Sequence, residues 1–324
     1  AALGGCLEAS SQVTTQVGIC LLCSATNLNN SVDGNPATAA TLSVPVGVAA
    51  SIQQTLQFTN PGKAGDVVEV DMELPTGLAD LSLLGAVSLA TYNGTTYNND
   101  RVAITNPLIN LQLLSGNRFR ASVTAGANFD RVQIRLGALA TVLSTLNIYQ
   151  ATYRYKVPTI TGNTTICSGT TTTLTAVLAV GETVNWYSVA TGGSSLASTA
   201  AFTTPTLTAP TTYYVEVTRN GCVNSVRYPV QVLISNPVLP TVTASPTTIC
   251  SGQVTTLSVD APVAGTDYNW YDAGGNLVFT GNSFTTPVLT VNTGYSVEAA
   301  IGSCVTSTRL PVNLTVSPIP ATPT

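Results

Sequence analysis

Histidine is missing from the sequence altogether. Its absence excludes Ser-His-Asp and Cys-His nucleophile systems, His-ligated zinc and the commonest general base. Charge is scarce too: 8% of the residues are Asp, Glu, Lys or Arg, and the net charge is -4. No basic patch is available to track phosphates, so nucleic acid is not an expected partner. Lysine occurs only at Lys63 and Lys156, outside the repeats described below, so no isopeptide cross-link is expected inside them. Long apolar runs are lacking as well. Runs such as Gly18 to Cys23 fall far short of the ~20 residues a membrane-spanning helix needs. No cationic leader precedes that run, so the chain reads as starting at a mature terminus or inside a longer precursor.

What is present is Thr, Val, Ala, Asn and Gly in excess, with seven cysteines: Cys6, Cys20, Cys23, Cys167, Cys222, Cys250 and Cys304. None has zinc-finger spacing, and Cys20-x-x-Cys23 lacks the βαβ context of a redox motif. An oxidising, extracellular compartment is the expectation.

The second half repeats itself. Thr165-Ile166-Cys167-Ser168-Gly169 recurs as Thr248-Ile249-Cys250-Ser251-Gly252, and Trp186-Tyr187 as Trp270-Tyr271. Phe202-Thr203-Thr204-Pro205 recurs as Phe284-Thr285-Thr286-Pro287, and Cys222-Val223 as Cys304-Val305. Arg227-x-Pro229-Val230 matches Arg309-x-Pro311-Val312. A period of about 80 residues indicates an array of domains rather than a tight solenoid. Within each copy, short alternating segments rich in β-branched residues are separated by turn signals, the pattern of an immunoglobulin-like sandwich. Trp186 and Trp270 are then core residues of the third strand, and Tyr213 and Tyr295 open the penultimate one. Because the four repeat cysteines occupy matching places, disulfides Cys167–Cys222 and Cys250–Cys304 are expected, each inside its own copy.

These motifs resemble the Ig-like repeats of large secreted surface proteins and adhesins of Bacteroidota, over residues 158–317. The resemblance implies a cell-surface location and a modular architecture, and it carries no catalytic residues.

Most of the charge lies in the first half, which reads as a different β-sandwich. In Val67 to Leu74 the residues Val68, Val70, Met72 and Leu74 share one face, and Glu69, Asp71 and Glu73 the other. Arg118 and Arg120, and Arg131 and Arg135, form outward stripes. Three carboxylates about 7 Å apart could serve acid/base chemistry; a cross-strand ladder against the arginines is the plainer expectation. The stretch Asn29 to Thr38 resembles the Asn-Ala-Val-Asp-Gly-Asn signature of discoidin-type, galactose-binding-like jelly rolls. That resemblance implies a calcium-dependent carbohydrate-binding module with Asp33, Asn35 and Thr38 as oxygen ligands. The alternative is an Asp-Gly turn without an ion.

Val13, Thr15, Val17, Ile19 and Leu21 alternate with their neighbours as a strand with one apolar face. It reads either as the first strand of its own domain or as a donor strand for a neighbouring subunit. Cys6, Cys20 and Cys23 are three, so at least one bonds outside that group, within the chain or between chains. The expected organisation is all-β: an N-terminal segment 1–22, a jelly-roll-like domain 23–157, Ig-like domains 158–236 and 237–317, and a Pro-rich linker or tail 318–324. The function expected is non-enzymatic, a cell-surface stalk or filament subunit that homo-oligomerises or continues into further domains of the same chain. The alternative is an adhesin whose first domain binds surface glycans.

Overall fold

The computed structural model describes residues 5–46, 50–75, 84–138 and 144–319. Residues 320–324 of the expected Pro-rich tail and 1–4 of the N-terminal segment lie outside this range. The described residues are dominated by 29 strands, as the all-β reading requires. They form two compact units. The first takes residues 1–159, 176–200 and 214–229, and the second 160–175, 201–213 and 230–324, so the first Ig-like copy contributes to both.

In the first unit, two sheets share a core. One runs Ala9–Val17, Ser51–Gly62, Phe129–Gly137, Val87–Asn93 and Thr96–Tyr97 in spatial order, with Val102–Ala103 also on Val87–Asn93. The other runs Ser24–Thr26, Ala40–Val44, Ser144–Arg154, Val67–Glu73, Arg118–Thr124 and Asn110–Leu113. Successive long strands alternate between the sheets, and Ser144–Arg154 inserts between Ala40–Val44 and Val67–Glu73. This is the nested order of a jelly roll. Val68, Val70, Met72 and Leu74 are fully buried, because period-2 alternation sends them all to one face. At one end of the core Phe58, Phe129 and Tyr153 pack edge to face, with centroids 5.1–5.8 Å apart. The Phe129 ring lies over Gly62, where an added Cβ would stand 2.2 Å from Phe129 Cζ, so only glycine fits there.

The N-terminal segment is not detached. Ala9–Val17 pairs antiparallel with Ser51–Gly62, with Val13 opposite Thr55 and Val17 opposite Ser51, and forms an edge of the first sheet. The expected apolar face is the solvent face: Val13 and Val17 are half-exposed, while the polar Gln12 and Thr14 are better covered. Ile19 and Leu21 lie past the strand, 89% and 95% exposed, so the alternation marks an edge strand turned outward. Residues 9–17 therefore belong to the domain given above as 23–157.

The second unit holds the complete second Ig-like copy. Val242–Ser245, Thr256–Val259 and Ser283–Thr285 form one sheet. Thr248–Cys250, Leu310–Ser317, Thr293–Ile301, Asp267–Asp272 and Leu277–Thr280 form the other, and Cys304–Val305 hangs on Thr293–Ile301. Trp270 is completely buried among Leu257, Tyr268, Phe284, Tyr295 and Val297. Its indole Nε1 donates to the Gly281 carbonyl at 2.9 Å. The first copy repeats this: Trp186 is fully buried and Nε1 donates to the Thr199 carbonyl at 3.1 Å. Tyr213 and Tyr295 pack edge-on against Phe202 and Phe284, as core residues do.

Candidate functional site

The disulfides overturn the expected pairing. Cys6 is bonded to Cys222, Cys20 to Cys23 and Cys167 to Cys304, and Cys250 is free and exposed. Strand geometry supplies the reason. Thr248–Cys250 runs parallel to Leu310–Ser317 and sets Cys250 beside Ser317, at the far end of that strand. Cys304 faces Ile301, before the strand begins at Leu310. Seven residues of strand separate the two ends, about 23 Å, whereas a disulfide needs Cα atoms within about 7 Å. Two cysteines of one copy therefore cannot meet. Each second-position cysteine instead bonds upstream: Cys222 to the N-terminal domain, Cys304 to the first Ig-like copy.

The Cys6–Cys222 bond sits in a dense joint within the first unit. Asp66 is fully buried at the start of Val67–Glu73 and Arg219 is nearly so at the end of Thr211–Arg219. Arg219 donates to Asp66 at 2.6 and 3.2 Å and to Glu182 at 2.7 and 3.0 Å. Asp66 also accepts from the backbone N–H groups of Lys63 at 2.8 Å and Lys156 at 2.9 Å. Burial alone would lower the Arg219 pKa, but the bonds to Asp66 and Glu182 outweigh it and raise it. The guanidinium lies 4.1 Å from the centre of the Tyr155 ring. Tyr155 OH donates to the Cys222 carbonyl at 3.0 Å, and Tyr228 OH donates to the Tyr155 carbonyl. Burial pushes the Tyr155 hydroxyl up to about 12, so it stays a donor. Every group in this cluster is committed to another, which makes the joint a clamp rather than a reaction centre.

The carboxylate stripe is a ladder. Arg120 stands in register with Asp71 and donates to both its oxygens, at 2.7 and 2.9 Å. Arg154 holds Glu69 at 2.9 Å, and Asn147 and the Tyr149 hydroxyl hold Glu73. Arg131 and Arg135 lie on the other sheet, and Arg118 covers the Tyr149 ring at 3.6 Å. The ladder is therefore built on Arg120 and Arg154.

The loop with Asp33, Asn35 and Thr38 closes on itself. Asp33 Oδ1 accepts from Asn35 N–H and Oδ2 from the Thr38 hydroxyl, both at 2.8 Å. Asn35 Oδ1 accepts from Ala37 N–H at 3.1 Å. Calcium takes six to eight oxygens; this loop offers one carboxylate, and each of its oxygens accepts a hydrogen bond within the loop.

A repeated triad escaped sequence reasoning. Glu216 accepts from Arg227 at 3.1 Å and from Tyr187 OH at 2.9 Å, with the guanidinium 3.2 Å above the Tyr187 ring. Glu298, Arg309 and Tyr271 do the same at 3.0, 2.6 and 3.3 Å. The signal was in the alignment, where all three residue types recur at matching places. Burial pushes the Glu298 carboxyl up, but hydrogen bonds from Tyr271 and Arg309 outweigh it and hold the carboxyl below its ordinary range. A carboxyl depressed in the folded state stabilises the fold above the unfolded pKa, about 4.3, and that contribution is lost as pH falls. The stability gap between the parent chain and Glu298→Gln, measured by urea unfolding, is therefore expected to be wide at pH 7 and to narrow towards pH 3.

The profile of the family described as "Ig-like domain CHU_C associated" matches residues 156–235 and 237–318, half of the chain. No curated protein matches the sequence. Similar solved structures include murine CEACAM1b, at 12% identity and TM-score 0.29, covering 49% of this chain and 100% of that one. Fibronectin(III)-like modules of Clostridium thermocellum CbhA align at 12% identity and TM-score 0.32, over 49% of this chain and 95% of theirs. A β-1,2-glucanase from Parabacteroides distasonis aligns at 10% identity and TM-score 0.34, over 72% of this chain and 38% of its own. Among the described residues no helix is long and apolar enough to cross a membrane. With two matched copies, each built around a buried tryptophan, the chain belongs to the family of CHU_C-associated Ig-like domains.

Proposed function

We propose that this protein is a non-enzymatic stalk segment exposed on the outside of the cell, in which domains are linked covalently in series. The observation that carries the reading is the disulfide pattern. Cys6–Cys222 and Cys167–Cys304 span 216 and 137 residues and tie each module to the one before it. A protein whose task is to hold modules in order has reason to cross-link between them; a binding module that acts alone does not. The buried Asp66–Arg219–Glu182 clamp supports the same reading, since its charged groups fix a joint and leave nothing free for a substrate. The test uses the full chain on a glycan array with and without calcium, and antibody labelling of intact cells of the source organism. A stalk gives surface labelling and no glycan signal. A specific glycan bound through residues 23–157 would favour the adhesin reading, and labelling only after cell lysis would sink both.

Assembly into a filament is a second proposal, and it rests on the outer edge of Ala9–Val17, which ends its sheet among the described residues and leaves Val13 and Val17 half-exposed. Open edges of this kind accept an added strand. Sedimentation of the full chain over rising concentration is expected to show growing polymers; a monomer at every concentration removes this proposal.

A further inference from the structure

Cys250 is the one cysteine without a partner, and it is exposed. It is also the repeat counterpart of Cys167, and the two sit in the same backbone frame. Thr165–Cys167 runs parallel to Tyr228–Ser235 with Cys167 facing Ser235, as Thr248–Cys250 runs parallel to Leu310–Ser317 with Cys250 facing Ser317. Ser168 N–H donates to the Ser235 carbonyl at 3.3 Å, and Ser251 N–H to the Ser317 carbonyl at 2.9 Å. Gly169 and Gly252 each anchor the following turn at 2.8 Å, on the carbonyls of Leu207 and Leu289. The first of these two equivalent positions has a ligand, and its identity is known: the Sγ of Cys304.

The bonding partners share a frame as well. Cys222 and Cys304 each open a two-residue strand that folds back on the penultimate strand, facing Arg219 and Ile301 respectively. Both are buried, at 3% and 5% exposure. After that strand Asn224 N–H donates to Val217 at 2.8 Å and Thr306 N–H to Ala299 at 2.9 Å. Both cysteines of this second position are already bonded. The sequence following Ser317 is Pro-rich, as is the sequence following Ser235.

We infer that Cys250 is one half of a further inter-module disulfide, whose other half is the second-position cysteine of another Ig-like module of this family. That module is either a later part of a longer chain or a part of a second molecule. The inference deepens the stalk reading by naming the partner, and it shares with that reading only the serial linkage. Glycan binding would unseat the stalk and leave the cysteine chemistry untouched.

Bond formation needs a two-electron oxidant, and a small disulfide such as oxidised glutathione serves. The Cys250 thiolate attacks it, forms a mixed disulfide and releases one small thiolate. The incoming cysteine thiolate then attacks Cys250 Sγ and expels the second small thiolate. Two cysteine thiols are oxidised, one small disulfide is reduced to two thiols, and the two cysteine protons pass to the released thiolates.

The test extends the full chain at Thr324 with a second copy of residues 237–324 and refolds it in a glutathione buffer. Non-reducing peptide mapping is expected to find Cys250 joined to the appended counterpart of Cys304. Maleimide labelling of Cys250 should fall to background and move to the appended counterpart of Cys250. A Cys250 that stays fully labelled, or that bonds only to another Cys250, overturns the inference. A second arm mixes the unextended chain with full-length Cys167→Ser/Cys250→Ser protein, which offers an unbonded Cys304. A Cys250–Cys304 bond between molecules supports a second molecule as the source. Its absence, together with the bond in the extended chain, supports a later module of the same chain. If the double variant does not fold, the extended chain decides alone.

Discussion

Arg219→Met is expected to destabilise the first unit by about 3–5 kcal/mol, the usual result of removing one partner from a buried ion pair. The magnitude comes from what is left behind. Asp66 is fully buried and loses two of its four hydrogen bonds, while Glu182 loses both that Arg219 gave it. Methionine fills most of the volume, so a cavity does not explain the loss. The control is Asp66→Asn on the Arg219→Met background. Removing the stranded charge should recover part of the stability, because a neutral amide costs less to bury than an unpaired carboxylate, although its one oxygen accepts from only one of the Lys63 and Lys156 N–H groups. Urea unfolding of the three variants reads this directly. If Arg219→Met unfolds at the parent's midpoint, the clamp contributes nothing and the joint rests on its disulfide.

Cys167→Ser is expected to have an effect of similar size. The bond it removes closes a loop of 137 residues, for which loop-closure entropy gives about 5 kcal/mol, the upper end of what such bonds contribute. The variant also separates the two pairings. With Cys167 gone, Cys304 should become labelled by a thiol reagent in the unfolded chain, while Cys222 stays protected by Cys6. Labelling of Cys222 instead would restore the pairing within one copy.

Much of the fold was legible because local periodicity decides it. Val68, Val70, Met72 and Leu74 had to share a buried face, and Trp186 and Trp270 had to be core once the repeat was aligned. Cysteine pairing was not legible. Matching positions in two copies show that the cysteines are equivalent, but not at which end of the sandwich each one lies. That is set by the parallel pairing of Thr248–Cys250 with the end of Leu310–Ser317, a long-range contact with no local signature. The clamp left a faint trace: Arg219 stands where the second copy has Ile301, and only a difference between copies could have marked it. Strand Ala9–Val17 misled because alternation reports two unlike faces without saying which one the core covers.

The two long disulfides interlock, since Cys167 lies inside the loop closed by Cys6–Cys222 and Cys304 outside it. Under tension applied at the two ends, the load would pass from Cys6 across the bond to Cys222, back 55 residues (222 − 167) to Cys167, and across to Cys304. Only about 80 residues can then be drawn out, some 280 Å at about 3.5 Å each, against about 1,100 Å for all 324 residues with the bonds reduced. Residues 7–166, which include the whole jelly roll, lie off this shortest covalent path. The two bonds thus set a limit to how far the oxidised chain can be stretched, and reducing them would release the reserve.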